Sequence, residues 1–287
     1  VRGHLALLLA ALLSAGGAAA SEAAGGDAAQ ALHRSQRTLA EALRHNDFQQ
    51  PLWLESQERE GELSGDVHAL LPYPFAALRA SLTQAAQWCE LLMLQINIKH
   101  CEPAPGVLAL HFGPRYALPL ASTLRLNLDY QVPSDSPDYL RIEMKAANGP
   151  LGTRQYRILL EAVPTEDGQS FVHFSYAYGY GLPARLAMQT YLSLAGRGKI
   201  GFSRAPARAG APPRPIDGLR AAIERNTMRH YLALGAYMDS LSAPAATRTG
   251  QRLAAWFDAT ERYALQLHEM ERDDYLSMKR KELRLQP

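Results

Sequence analysis

Four segments decide the fold: LRLNLDY (124–130), YLRIEMKA (139–146), RQYRILLEAV (154–163) and FVHFSYAYGY (171–180). In the first, Leu124, Leu126, Leu128 and Tyr130 are apolar, while Arg125, Asn127 and Asp129 are polar. The second alternates Leu140, Ile142, Met144 and Ala146 with Arg141, Glu143 and Lys145, and the third puts Tyr156, Ile158, Leu160 and Ala162 on one face. Successive side chains of a strand point to opposite faces, so this period of two makes one face apolar and the other wet. Gly149-Pro150-Leu151-Gly152 and Glu166-Asp167-Gly168 supply turns between them. Alternating strands in succession with short polar turns predict an antiparallel meander, with Glu143 and Glu161 on its solvated face.

The fourth segment differs. Phe174, Tyr176, Tyr178 and Tyr180 load one face with aromatic bulk, whereas Ser175, Ala177 and Gly179 leave the other small. Small strand residues admit a close neighbour or a ligand. As core, each aromatic contributes roughly 1.5–3 kcal/mol on burial. As a pocket wall, the same residues offer apolar area together with hydroxyls that need partners. Both readings fit the sequence.

Working upstream, Val107 to Phe112 reads as a short strand, and Leu94 to His100 as another with Leu94, Ile96 and Ile98 on one face. Phe75 to Met93 follows a helical period, with Ser81-Leu82-Thr83 dividing it into two. Leu63 to Leu70 is a first strand, Leu52 to Leu71 as a whole is mixed, and Ala29 to Arg44 is an amphipathic helix. Cys89 ends a helix and Cys101 ends the strand it feeds. In an oxidising compartment this pair would close a disulfide worth about 3 kcal/mol; two buried free thiols are the other reading.

Downstream, Pro183 to Ala195 is helical, with proline in the first turn where its missing N–H is harmless. Gly196-Arg197-Gly198-Lys199-Ile200-Gly201 spells G-x-G-x-x-G, but it follows a helix and leads into the proline-rich Ala205 to Pro215. A phosphate loop follows a strand and opens a helix, so this is a helix end and a turn. Ile216 to Leu241 is the strongest helix, its stripe running through Ile216, Leu219, Ile223, Thr227, Tyr231, Leu234, Met238 and Leu241. Asn226 and His230 border that stripe one turn apart. A final helix is expected over Arg248 to Leu283, its Lys279-Arg280-Lys281 end complementing the helix dipole.

The 47% apolar content suits a folded domain, and a net charge of +2 with interspersed signs gives no field for nucleic acid. Residues 1–20 have the layout of a signal peptide: Arg2 and His4, an apolar run from Leu5 to Leu13, then Ala18-Ala19-Ala20. The run is too short for a bilayer span of about 20 residues, and none follows it. The expectation is a periplasmic or secreted protein without an integral membrane segment after cleavage.

No catalytic motif is present. There is no G-x-S-x-G elbow. His268-Glu269 is followed by Arg272 where a zinc helix needs a second histidine. His100 and Cys101 are strand neighbours and face opposite ways. The nine histidines are otherwise dispersed, so no metal or cofactor is expected.

Gly65-Asp66-Val67-His68-Ala69 leading into Pro74-Phe75 and the helix to Trp88, the strands from Gly149 to Tyr180, and the helix Ile216–Leu241 together resemble the START-like (SRPBCC, helix-grip) superfamily in layout. The chain is also similar, through Glu224-Arg225-Asn226-Thr227-Met228-Arg229 and Gly149-Pro150-Leu151-Gly152-Thr153, to a group of uncharacterised exported bacterial proteins. The first resemblance implies an α+β fold: a curved antiparallel sheet gripping a long helix, with added N- and C-terminal helices. It implies a START-like domain at 60–241, after a lead-in and helix at 21–59 and before a helical extension at 242–287.

It further implies a hydrophobic small-molecule ligand, a lipid by preference, in a cavity between sheet and helix. Phe174, Tyr176, Tyr178, Asn226, His230 and Tyr231 are then the candidate ligand-binding residues. A cyclase or hydrolase on the same scaffold, with His230 or His173 as general base, is the second reading. A structural or partner-binding protein with a filled core is the third. Which helix closes the grip stays open, because Pro183 to Ala195 precedes Ile216 to Leu241.

Overall fold

The computed structural model describes residues 5–116, 118–194, 198–206 and 212–284. Arg2 and His4 of the expected signal peptide, and Gly196 and Arg197 of the glycine-rich hexapeptide, lie outside the described residues. One eight-stranded antiparallel sheet dominates. Its strands are β1 (Leu52–Arg59), β2 (Glu62–Leu71), β3 (Ile98–Ala104), β4 (Val107–Phe112), β5 (Leu124–Asp135), β6 (Leu140–Asn148), β7 (Thr153–Pro164) and β8 (Ser170–Tyr180), in the order β1-β2-β8-β7-β6-β5-β4-β3. The meander expected from the alternation is its centre. β1 is an addition: Leu52 and Leu54 face the core beside buried Ser56, but the polar run to Arg59 hides their period.

Helices flank both faces of the sheet: α1 (Leu5–Arg44), α2 (Phe75–Ala80), α3 (Ala85–Leu92), α4 (Leu182–Leu194), α5 (Gly218–Ser240), α6 (Ala245–Glu261), α7 (Ala264–Leu267) and α8 (Arg272–Leu283). The curled sheet grips α5. The even-numbered residues of β8 face it and the odd-numbered ones face away: Phe174 and Val172 join the main core, while Phe171 packs with Leu32 and Leu43 of α1. This settles the helix left open by the sequence. α5 comes so near β2 that a side chain at Gly65 would collide with the Thr227 hydroxyl, and glycine is the residue for such a close approach.

A buried carboxylate anchors α5. Glu224, fully buried, accepts from Ser56 Oγ at 2.6 Å on β1 and from the backbone N–H groups of Phe202 and Ser203 at 2.6 and 2.9 Å. A charge taken out of water needs such donors, and here they tie the segment before α5 to the helix itself. Cys89 on α3 and Cys101 on β3 form a disulfide, with Cα atoms 5.4 Å apart.

Three sequence expectations are corrected. The strand begins at Ile98 instead of Leu94. Leu94 and Gln95 complete turns onto Leu91 and Leu92, and the carbonyls of Leu94 and Ile98 accept from Tyr275 Oη (2.9 Å) and Lys279 Nζ (2.7 Å). The C-terminal helices thus take backbone acceptors that a strand would have paired. The single final helix is three pieces, broken where Tyr263 and His268 leave helical geometry. Trp256, Phe257, Tyr275 and Leu276 of these pieces lie in the same core as the sheet. Lastly, Glu161 is not solvated. On the outer face it receives Arg141 Nη1 at 2.6 Å and His173 Nδ1 at 3.0 Å, and His173 Nε2 binds Asp66 at 2.9 Å. His173 is held up to about 9, because these hydrogen bonds and charges overcome its burial.

Among the described residues no helix is long and apolar enough to cross a membrane.

Candidate functional site: a cavity between the sheet and α5

Curling the sheet over α5 leaves a cavity of about 630 Å³. Leu110, Leu126, Leu128, Tyr156 and Ile158 form its sheet wall, Leu92, Ile96 and Ile98 a side wall, and Asn226, Arg229 and His230 its helix wall. This size suits a small organic molecule, and the lining is mainly apolar with few polar groups, as such sites are.

β8 and α5 place the central polar groups. Tyr176 pairs with Gly65 on β2 and with Ile158 on β7, so its ring stands in mid-sheet. A bulge precedes that point: the β7–β8 register shifts between Arg154 and Arg157, where Gln155 adopts φ 52°. An extra residue there increases the local twist. The His230 ring lies 5.2 Å from that of Tyr176 and stacks on Phe174 at 5.9 Å.

His230 Nδ1 is 2.7 Å from the Asn226 carbonyl. A carbonyl only accepts, so Nδ1 carries the proton and Nε2 is left with its lone pair. Burial pushes the imidazole down to about 4, partly opposed by that hydrogen bond. Burial also raises the Tyr176 hydroxyl well above its usual range. Both groups are neutral at ordinary pH.

The sequence-named residues therefore divide. Tyr176, Asn226 and His230 line the cavity. Phe174 is buried behind His230 and supports it. Tyr178 lines a smaller void of about 140 Å³ with Met188, Leu219 and Ala222, its hydroxyl 3.5 Å from Met188 Sδ. Tyr231 is buried in the main core away from the cavity wall. His173 lies on the outer face of the sheet, remote from this chamber and ion-paired, which removes it as a base for a molecule held here.

A charged clasp closes one side, and sequence reading missed it. Glu269 receives Arg229 Nη2 at 2.8 Å and Arg115 Nη1 at 3.0 Å, with Lys199 Nζ at 3.6 Å. Arg115 also donates to the Glu269 carbonyl at 2.6 Å. Glu269 reaches this place because the C-terminal helix breaks at His268. Three cations from distant segments around one carboxylate leave no local signal in the chain.

No protein-family model matches the chain, and no curated protein matches it. Among solved structures it is similar to norcoclaurine synthase from Thalictrum flavum in complex with dopamine and hydroxybenzaldehyde, at 13% identity over 47% of this chain and 83% of that one, TM-score 0.33. It is similar to Ara h 8.0201 at 13% identity over 47% and 92%, TM-score 0.30. It is also similar to a conserved protein of unknown function from Enterococcus faecalis at 7% identity over 74% and 92%, TM-score 0.32. These likenesses assign no activity to the chain; the α+β helix-grip arrangement stands on the geometry above.

Proposed function

We propose that this protein binds a hydrophobic small molecule, a lipid by preference, in the cavity between the sheet and α5. The observation that carries the reading is a mainly apolar chamber of about 630 Å³ at the centre of the fold, into which a few neutral polar groups project beside the charged clasp. A packed interior leaves few voids larger than a water molecule, so a chamber of this size has a use. We propose further that the protein is exported, periplasmic or secreted. The apolar leader and the Cys89–Cys101 disulfide support that placement, since disulfides persist in oxidising compartments.

The cyclase or hydrolase reading keeps one candidate base, the free Nε2 of His230. An imidazole held to about 4 is a weak base, so binding is the better-supported role. Native mass spectrometry of the purified protein, followed by organic extraction, tests the proposal. A stoichiometric hydrophobic passenger is expected. Protein that is always empty and takes up no apolar probe would overturn it.

A further inference from the structure

Besides the charged clasp at its side, the cavity lining holds a second, uncharged polar cluster. There His230 Nε2, the Tyr176 hydroxyl and the Asn226 side-chain amide have no hydrogen-bond partner among the described residues. All three belong to residues that line the cavity, and none is among the polar atoms sealed off from it. A polar atom removed from bulk water without a partner costs free energy comparable to a lost hydrogen bond, so three together mark a place where something polar binds.

Their chemistry is specific. Nε2 accepts and cannot donate, because the Asn226 carbonyl holds the ring's proton on Nδ1. The Tyr176 hydroxyl beside it donates or accepts, and the amide does both. A hydroxyl group likewise donates one hydrogen and accepts through its oxygen. A carboxylate has no hydrogen for Nε2, and would bring its charge into an apolar chamber against a lone pair. The cations that line the chamber, Arg229 and Arg115, stand at the clasp with Glu269 at 2.8 and 3.0 Å, so an anion would be drawn there and not to Nε2.

We infer that the ligand is an uncharged apolar molecule bearing a hydroxyl group, an alcohol or a phenol, whose O–H donates to His230 Nε2 beside Tyr176 and Asn226. This rests on the proposed cavity function and narrows it: a lipid bound here is a neutral hydroxylated one, since a fatty acid's carboxylate has no hydrogen to give Nε2.

Three probes of one shape test it on the full chain at neutral pH: naphthalene, 2-naphthol and 2-naphthoate, by equilibrium dialysis. One net hydrogen bond makes 2-naphthol about fivefold to tenfold tighter than naphthalene, and 2-naphthoate is expected to bind weakest. In His230→Leu the naphthol-to-naphthalene ratio falls towards one, and Tyr176→Phe reduces it in part. Without any substitution, the ¹⁵N resonance of His230 Nε2 is expected to move on addition of 2-naphthol and to stay in place with naphthalene. Equal binding of naphthol and naphthalene, with a still resonance, overturns the hydroxyl inference alone. Tightest binding by naphthoate, abolished in Arg229→Ala, overturns it in favour of an anion at the clasp. Binding of none of the three overturns the cavity reading with it.

Discussion

The His230 imidazole lies over the Phe174 ring, 5.9 Å between centroids and 17° from parallel, so the closing helix and the last strand meet through one aromatic stack. The stack sets the ring's plane, and the Asn226 carbonyl sets its proton. Together they leave a single nitrogen lone pair facing the cavity.

That arrangement makes acid destabilising. The folded-state value of His230, about 4, lies below the usual 6.5. The unfolded chain therefore takes up the proton first on acidification. The stability linked to a neutral His230 is complete above pH 6.5 and is lost as pH falls through 4. His68, also lowered to about 4 by burial and by His173, contributes in the same window. Urea unfolding from pH 7 to 4 should show falling stability, with a shallower fall in His230→Asn. An identical slope in wild type and variant would show that His230 is not neutral in the fold.

His173 works in the opposite direction. Asp66 and Glu161 flank it, His68 stacks on it at 4.3 Å, and its value is raised to about 9. Its contribution is complete below pH 6.5 and is lost as pH rises through 9. Replacing it with Asn leaves two carboxylates facing each other and should cost about 3 kcal/mol near pH 6. The deficit should shrink towards pH 9.5. A deficit independent of pH would point to lost packing instead of lost charge.

Gly65 is expected to tolerate no side chain. Ala there would strike the Thr227 hydroxyl, and overpacking of this kind costs about 1–3 kcal/mol. Thr227→Ala in the same chain removes the obstacle, so the double variant should recover most of the loss. Thermal melts of the four chains give the coupling directly, and simple additivity would mean that the strand and helix separate to make room.

Glu269 should hold the C-terminal segment against the cavity. Glu269→Gln leaves Arg229, Arg115 and Lys199 without the carboxylate they share, at a cost of about 3 kcal/mol. Limited proteolysis around residues 262–271 is expected to quicken as the stretch loosens. Unchanged stability and cleavage would show that apolar packing, through Leu267 and Tyr275, suffices.

Much of the fold was legible because its determinants are local. The alternation in 124–180 places each side chain on one face or the other before any tertiary contact is known. The turns at 149–152 and 166–168 order the strands, and the stripe from Ile216 marks the helix they cover. Tyr176, Asn226 and His230 were legible as residues of the cavity wall for the same reason: each lies on, or borders, an apolar face whose direction the period sets. Phe174 and Tyr231 share those faces but are buried in packing, and periodicity does not separate a cavity wall from the core behind it.

What the chain determined by itself was the strand alternation, the helix stripe and the position of its two cysteines. Tertiary structure alone decided that the even face of β8 meets α5, that Leu94 and Ile98 give their carbonyls to the last helix, and that Glu269 joins Arg115 and Arg229. It alone also put Glu161 in a network with His173 instead of in water. The physical reason is range. Side-chain direction along a strand or helix follows from the backbone's own period, whereas a cavity, a clasp or a buried ion network requires segments far apart in sequence to arrive at one place.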